Sequence, residues 1–134
     1  MSDTEALLFA NEAFYRAFAD RDAEAMADIW SRAPPVSSLH PGWGPLTDRS
    51  EVISSWVAIL SSPDAPDISC LSPRARIHHD VGIVICFERL REGLLVATNL
   101  FVREGSLWKM VHHQGGPTSA DAPPRDAPAG GALH

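Results

Sequence analysis

At 134 residues the chain has room for one hydrophobic core of ordinary size, so a single domain is expected. A hydrophobic content of 45%, a charged content of 21% and a formal net charge of −6 exclude an intrinsically disordered chain and provide no basic excess for nucleic acid. The longest mainly apolar run, Val81 to Phe87, is far short of the roughly 20 residues that span a bilayer, and the acidic N-terminus is unlike a signal peptide. These features read as a soluble cytoplasmic protein with neither nucleic acid nor membrane as partner.

Ser2-Asp3-Thr4-Glu5 has the form of a capping box, and Leu7, Leu8, Ala10, Phe14, Ala17 and Phe18 follow at helical spacing, which predicts a long amphipathic helix to about Ala19. Asp22 is placed to cap a second helix with the stripe Ala25, Met26, Ile29 and Trp30, ended by Pro34-Pro35. Val36 to His40 is a short strand running into the turn Pro41-Gly42. Asp48 and Glu51 then announce a third helix whose buried stripe is Val52, Ile53, Trp56, Ile59 and Leu60. From Ile68 the period becomes strand-like, giving Ile68 to His79, Ile83 to Arg91, Leu94 to Arg103 and Ser106 to Gln114, joined by short glycine-bearing turns. The plan is α+β, with three N-terminal helices packed on one face of a curved antiparallel sheet. Residues 118–134 are rich in Pro and Ala and read as a flexible tail, leaving 1–117 as the domain. Cys70 and Cys86 sit in apolar stretches without metal or redox spacing and read as small buried hydrophobes.

Several segments carry a family resemblance: Phe14-Tyr15-Arg16-Ala17-Phe18 followed by Asp22 and Trp30, His40-Pro41-Gly42-Trp43, Val52 to Trp56, Thr98-Asn99-Leu100-Phe101, and Trp108 to His113. In these and in the order of its elements the chain resembles the nuclear transport factor 2-like superfamily, in its SnoaL-like and ketosteroid-isomerase-like branch, over about residues 5–117. The resemblance implies a cone-shaped fold with a deep pocket between sheet and helices, and a homodimer formed through the outer face of the sheet. It also implies three chemical positions: a base before a proline at the end of the first strand, a tyrosine on the first helix and an acid on a late strand. In this chain His40 stands at the first, Phe14 at the second by counting back from Asp22, and Asn99 at the third. Tyr15 is one residue away from that position, about 100° around the helix, and is expected to pack or to face the surface.

His40 is a candidate general base, because an imidazole exchanges a proton near neutral pH and a strand end opening into a turn places it at a pocket wall. The alternative is that it hydrogen-bonds the Pro41-Gly42 turn. His112 and His113 are adjacent on a strand and face opposite sides of the sheet. Because Lys109 prefers water, the parity of the strand sends Trp108, Met110, His112 and Gln114 inward and His113 outward. His112 thus joins His40 and Asn99 as a catalytic candidate. Asn99 interrupts an apolar run, so its amide has a buried partner or a ligand, such as a developing oxyanion. Trp30, Trp43, Trp56, Phe101 and Met110 are the candidate apolar walls, with core packing as the alternative for Trp30, Trp56 and Met110. Glu88 is not placed by parity, since both faces of its strand are apolar. No metal is expected, because no helical His-x-x-x-His spacing occurs, and nothing calls for another cofactor.

Two functions of different kinds fit these features. One is the binding of a small, largely apolar organic molecule, with proton-transfer chemistry of the isomerase, cyclase or dehydratase kind. The other is a non-catalytic ligand-binding or dimerisation module.

Overall fold

A computed structural model describes residues 1–123. Its elements are α1 (Asp3–Ala19), α2 (Ala23–Ile29), β1 (Ser37–Leu39), α3 (Arg49–Ser61), β2 (Ser69–His78), β3 (Val81–Leu90), β4 (Gly93–Glu104) and β5 (Leu107–Pro117). The five strands form one sheet in the order β1-β5-β4-β3-β2. All pairs are antiparallel except β1 with β5, which run parallel, as a strand that precedes the meander by a helix can do. The last strand ends at Pro117, and residues 124–134 of the expected tail lie outside the described residues.

The helix starts follow from local chemistry. Ser2 and Glu5 exchange hydrogen bonds across the first turn of α1, satisfying two backbone donors. Asp22 accepts from Ala25 N at α2, and Asp48 from Glu51 N at α3. Helix α1 lies across β2, β3 and β5, and α2 joins α1 to α3. Leu7, Phe14, Met26, Trp30, Val52, Val84, Phe101 and Met110 are fully buried between the layers. At Gly82 a side chain would come 2.6 Å from Leu7 Cδ1, so β3 and α1 approach more closely there than a Cβ allows.

Two irregularities shape the sheet. One lies in β2 between Leu71 and Arg74, where Ser72 takes φ +50°. The other lies in β5, where Leu100 pairs with His112 but Phe101 pairs with Met110, leaving Val111 as an extra residue. Such bulges bend a strand and change which side chains face which layer. On β5 the inward set is Trp108 and Met110 before the bulge, then His113 and Gly115 after it. The inward placement expected for His112 and Gln114 is therefore corrected: a uniform two-residue period fails across one inserted residue, and His113 is the buried histidine.

Candidate functional site

The inner face of β3 and β5 meets α1 and α3 around a cavity of about 290 Å³. Its walls are mainly apolar, with Phe14, Phe18, Trp56, Ile59 and Leu95 among them, and its polar groups come from Tyr15, His40, Glu88 and His113. Trp43, about half exposed, stands at the mouth against His40, with ring centroids 4.8 Å apart.

Each polar side chain is delivered by a different element. His40 follows β1 and enters next to α3, where its Nε2 is 2.8 Å from Ser55 Oγ and its ring stands edge-on to Trp56 at 4.6 Å. His113 reaches in from β5, with Nδ1 2.6 Å from Asn99 Oδ1. Tyr15, on the buried side of α1, donates to Glu88 Oε2 at 2.5 Å and lies 3.2 Å from Cys86 Sγ. Asn99 on β4 ties these groups together, donating from Nδ2 to Asn11 Oδ1 at 2.8 Å and to the Tyr15 oxygen at 3.1 Å. Glu88 Oε2 is 3.9 Å from His113 Nε2, and a Cβ on Gly115 would come 3.2 Å from Glu88 Oε1. Gly115 therefore leaves room for the carboxyl group.

Burial sets the protonation states. Desolvation holds His40 down to about 4, and desolvation with neighbouring His40 and His112 holds His113 down to about 3. Both imidazoles are neutral near pH 7. Burial pushes the Glu88 carboxyl up, opposed by the Tyr15 hydrogen bond, which favours the ionised form. The Tyr15 phenol is pushed up in turn by burial and by Cys86 and Glu88 beside it. The pocket thus holds two neutral bases, one carboxyl group with an elevated affinity for its proton, and a phenol that keeps its own. A base and an acid facing one small cavity are the elements of general acid-base catalysis.

The sequence-based candidates divide. His40, Trp43 and Trp56 line the cavity. Asn99 is fully buried behind it, and its amide hydrogens are already taken by Asn11 and Tyr15. It supports the site rather than presenting a donor to it. Trp30, Phe101 and Met110 are packed in the core away from the cavity walls, with Trp30 bridging to Met110 through the backbone. His112 lies on the opposite side of the sheet, its Nδ1 2.7 Å from Ser37 Oγ.

Tyr15, Glu88 and His113 are the additions. Phe14 and Tyr15 are both buried, because the sheet and the helical layer cover adjacent faces of α1. The signals for the other two are an acid interrupting the apolar run of β3, as Asn99 interrupts β4, and a glycine pair just after the histidines. Among the described residues no three His, Cys, Asp or Glu side chains are gathered so as to hold a metal ion. Tyr15 also borders a second, wider hollow of about 530 Å³ between α1 and β2, whose walls include Asn11 and Cys70.

Residues 8–118 match the SnoaL-like domain, and the chain belongs to that family, within the NTF2-like superfamily. A Streptomyces avermitilis protein of the NTF2-like family, provisionally named a dehydratase, is 30% identical and superposes with a TM-score of 0.80 over 88% of this chain and 97% of its own. A Thiobacillus denitrificans protein, provisionally named a calcium/calmodulin-dependent protein kinase type II association domain, is 28% identical with a TM-score of 0.72, covering 82% of this chain and 93% of its own. F-box protein SKIP8 of Arabidopsis thaliana is 29% identical over 112 residues, which are 82% of this chain and 48% of that protein. The chain spans about half the length of that curated relative.

Proposed function

We propose that the chain binds a small, largely apolar organic molecule in the 290 Å³ cavity and moves a proton on it. The observation that carries this reading is the convergence of His40, His113, Glu88 and Tyr15, from four different elements, on one otherwise apolar hollow. His40 acts as general base, since it is neutral and keeps one ring nitrogen free of protein partners. Glu88, held by Tyr15, is the acid that returns a proton, and His113 takes the place in the site first assigned to His112. The resemblance to a protein provisionally named a dehydratase supports chemistry of this kind.

Deuterium uptake tests the reading without a known substrate. A carbon acid such as 2-tetralone, incubated with the chain in D2O, should exchange its α-hydrogens faster than in buffer. His40→Ala and Glu88→Gln should each abolish the excess. Exchange unchanged by both substitutions would refute the assignment.

A second reading, a dimerisation module, is favoured by the outer face of the sheet. Val81, Ile85 and Val96 are exposed there beside partly covered Ile83, Phe87, Leu100 and Val102, and an apolar outer face on an antiparallel sheet calls for a cover. A homodimer through this face is compatible with a working pocket on the other side. Saturable binding with no exchange would favour the non-catalytic form of the module.

A further inference from the structure

The number of hydrogens on each group fixes where the pocket protons sit. Tyr15 has one hydroxyl hydrogen, and it goes to Glu88 Oε2 at 2.5 Å. The Asn99 atom facing the phenol oxygen at 3.1 Å is therefore the nitrogen, whose other hydrogen goes to Asn11. That leaves Asn99 Oδ1 as an acceptor 2.6 Å from His113 Nδ1, so Nδ1 carries the imidazole proton and Nε2 has a bare lone pair. The same reasoning applies at His40. Ser55 gives its one hydrogen to Val52 O at 2.6 Å and so accepts from His40 Nε2 at 2.8 Å, which leaves His40 Nδ1 bare.

Both bare nitrogens belong to residues that line the cavity, with Glu88 Oε2 3.9 Å from His113 Nε2. Among the described residues, the buried side-chain nitrogens and oxygens without a partner are Trp30 Nε1, Ser38 Oγ, Trp56 Nε1, Arg89 Nε and Trp108 Nε1. His40 Nδ1 and His113 Nε2 have no protein hydrogen bond and are not in that set, although both residues line the cavity. The walls include no lysine or arginine, and the one carboxylic acid is Glu88.

Resting on the reading of this cavity as a small-molecule site, we propose that the pocket selects a neutral ligand bearing a hydroxyl group, whose O–H donates to His113 Nε2. His40 Nδ1 is the second acceptor, and the apolar body of the ligand lies against Phe14, Phe18 and Trp56. Asn99 is a positioning residue: through Asn11 and Tyr15 it sets the amide orientation that keeps the proton on His113 Nδ1. An anion finds no cation to pair with and faces a carboxyl group, so carboxylates are rejected.

The test uses the full chain at pH 7 and three probes with one ring system: 2-naphthol, 2-methoxynaphthalene and 2-naphthoate. Calorimetric titration should show 2-naphthol binding about ten-fold more tightly than its methyl ether, equal to ~1.4 kcal/mol for one added hydrogen bond, and 2-naphthoate weakest. Nitrogen-15 spectra of the unmodified chain should show His113 protonated at Nδ1, with the bare Nε2 resonance moving when 2-naphthol is added. In His113→Leu the preference for the naphthol should vanish while 2-methoxynaphthalene still binds. If that variant does not fold, the spectra of the unmodified chain decide. Equal affinities for naphthol and ether, preference for the naphthoate, or a proton on His113 Nε2 would overturn the ligand class while leaving the pocket a binding site. No binding by any probe would overturn the pocket reading itself, and this proposal with it.

Discussion

Tyr15→Phe removes one oxygen atom and leaves the ring, so its effect reports on the polar network alone. In the native protein that oxygen donates to Glu88 at 2.5 Å and accepts from Asn99 at 3.1 Å. Without it, the buried carboxyl group in its ionised form, favoured toward high pH, loses a hydrogen bond to a charged acceptor, worth ~1.5–3 kcal/mol, and an Asn99 N–H is left without an acceptor, at ~1–3 kcal/mol. Near the low end of each range the loss is about 3 kcal/mol, which for a domain of this size lowers Tm by about 10 °C. The pH dependence adds a second signature. The Tyr15 bond opposes the upward push of burial on Glu88, so removing it raises the folded-state pKa further above the ordinary carboxyl range. A raised acid costs stability as pH climbs from its unfolded value through its folded one, because the native state must then ionise a group it prefers protonated. The deficit of Tyr15→Phe should therefore be larger at pH 8 than at pH 5. Urea denaturation followed by tryptophan fluorescence at both pH values measures it. A loss within about 0.5 kcal/mol, the range of ordinary surface substitutions, or a deficit that grows toward low pH, would refute this account of the network.

Other consequences are independent of that one. His113, held down to about 3, stays neutral in the native state while its unfolded counterpart gains a proton below pH 6.5. Its contribution is present above pH 6.5 and is lost as pH falls, by ~1.3 kcal/mol between pH 7.5 and 5.5. His40 acts in the same sense and Glu88 in the opposite one, so the slope of stability against pH should flatten in His113→Gln and steepen in Glu88→Gln. Gly82→Ala puts a Cβ within 2.6 Å of Leu7 Cδ1 and should cost ~1–3 kcal/mol by overpacking. Leu7→Val, tested alone and together with it, should recover part of that loss as a favourable coupling energy in the double-mutant cycle. His112→Ala, on the outer face beside Ser37, should leave 2-naphthol affinity within about two-fold, below the ~1.4 kcal/mol of a tenfold change, whereas His113→Leu should not.

The fold was legible because each helix announces its own start. Ser2 with Glu5, Asp22 and Asp48 all cap where their spacing places them, and the change of period after Ile68 marks the meander. Site composition was less legible, for reasons local to three residues. His112 and His113 exchange sides because Val111 is an extra residue, and a bulge leaves no fixed mark in a run of apolar and polar residues. Tyr15 is one position away from the site when counted back from Asp22, yet α1 is covered over a wider arc than one stripe, so Phe14 and Tyr15 are both buried. Glu88 had no parity because the outer face of β3 is apolar as well, with Ile83, Ile85 and Phe87 opposite Val84, Cys86 and Glu88. Asn99 was visible as a buried amide in need of partners. Those partners are Asn11, Tyr15 and His113, which are distant in sequence and share no motif.

A crystal structure of the chain grown with 2-naphthol tests the central claim most directly. The account predicts the ring between Phe14 and Trp56 in the cavity, its oxygen within hydrogen-bond distance of His113 Nε2, and the Asn99 contacts unchanged. A cavity closed by its own side chains at saturating probe, or a naphthol bound only in the hollow beside Asn11 and Cys70, would contradict it.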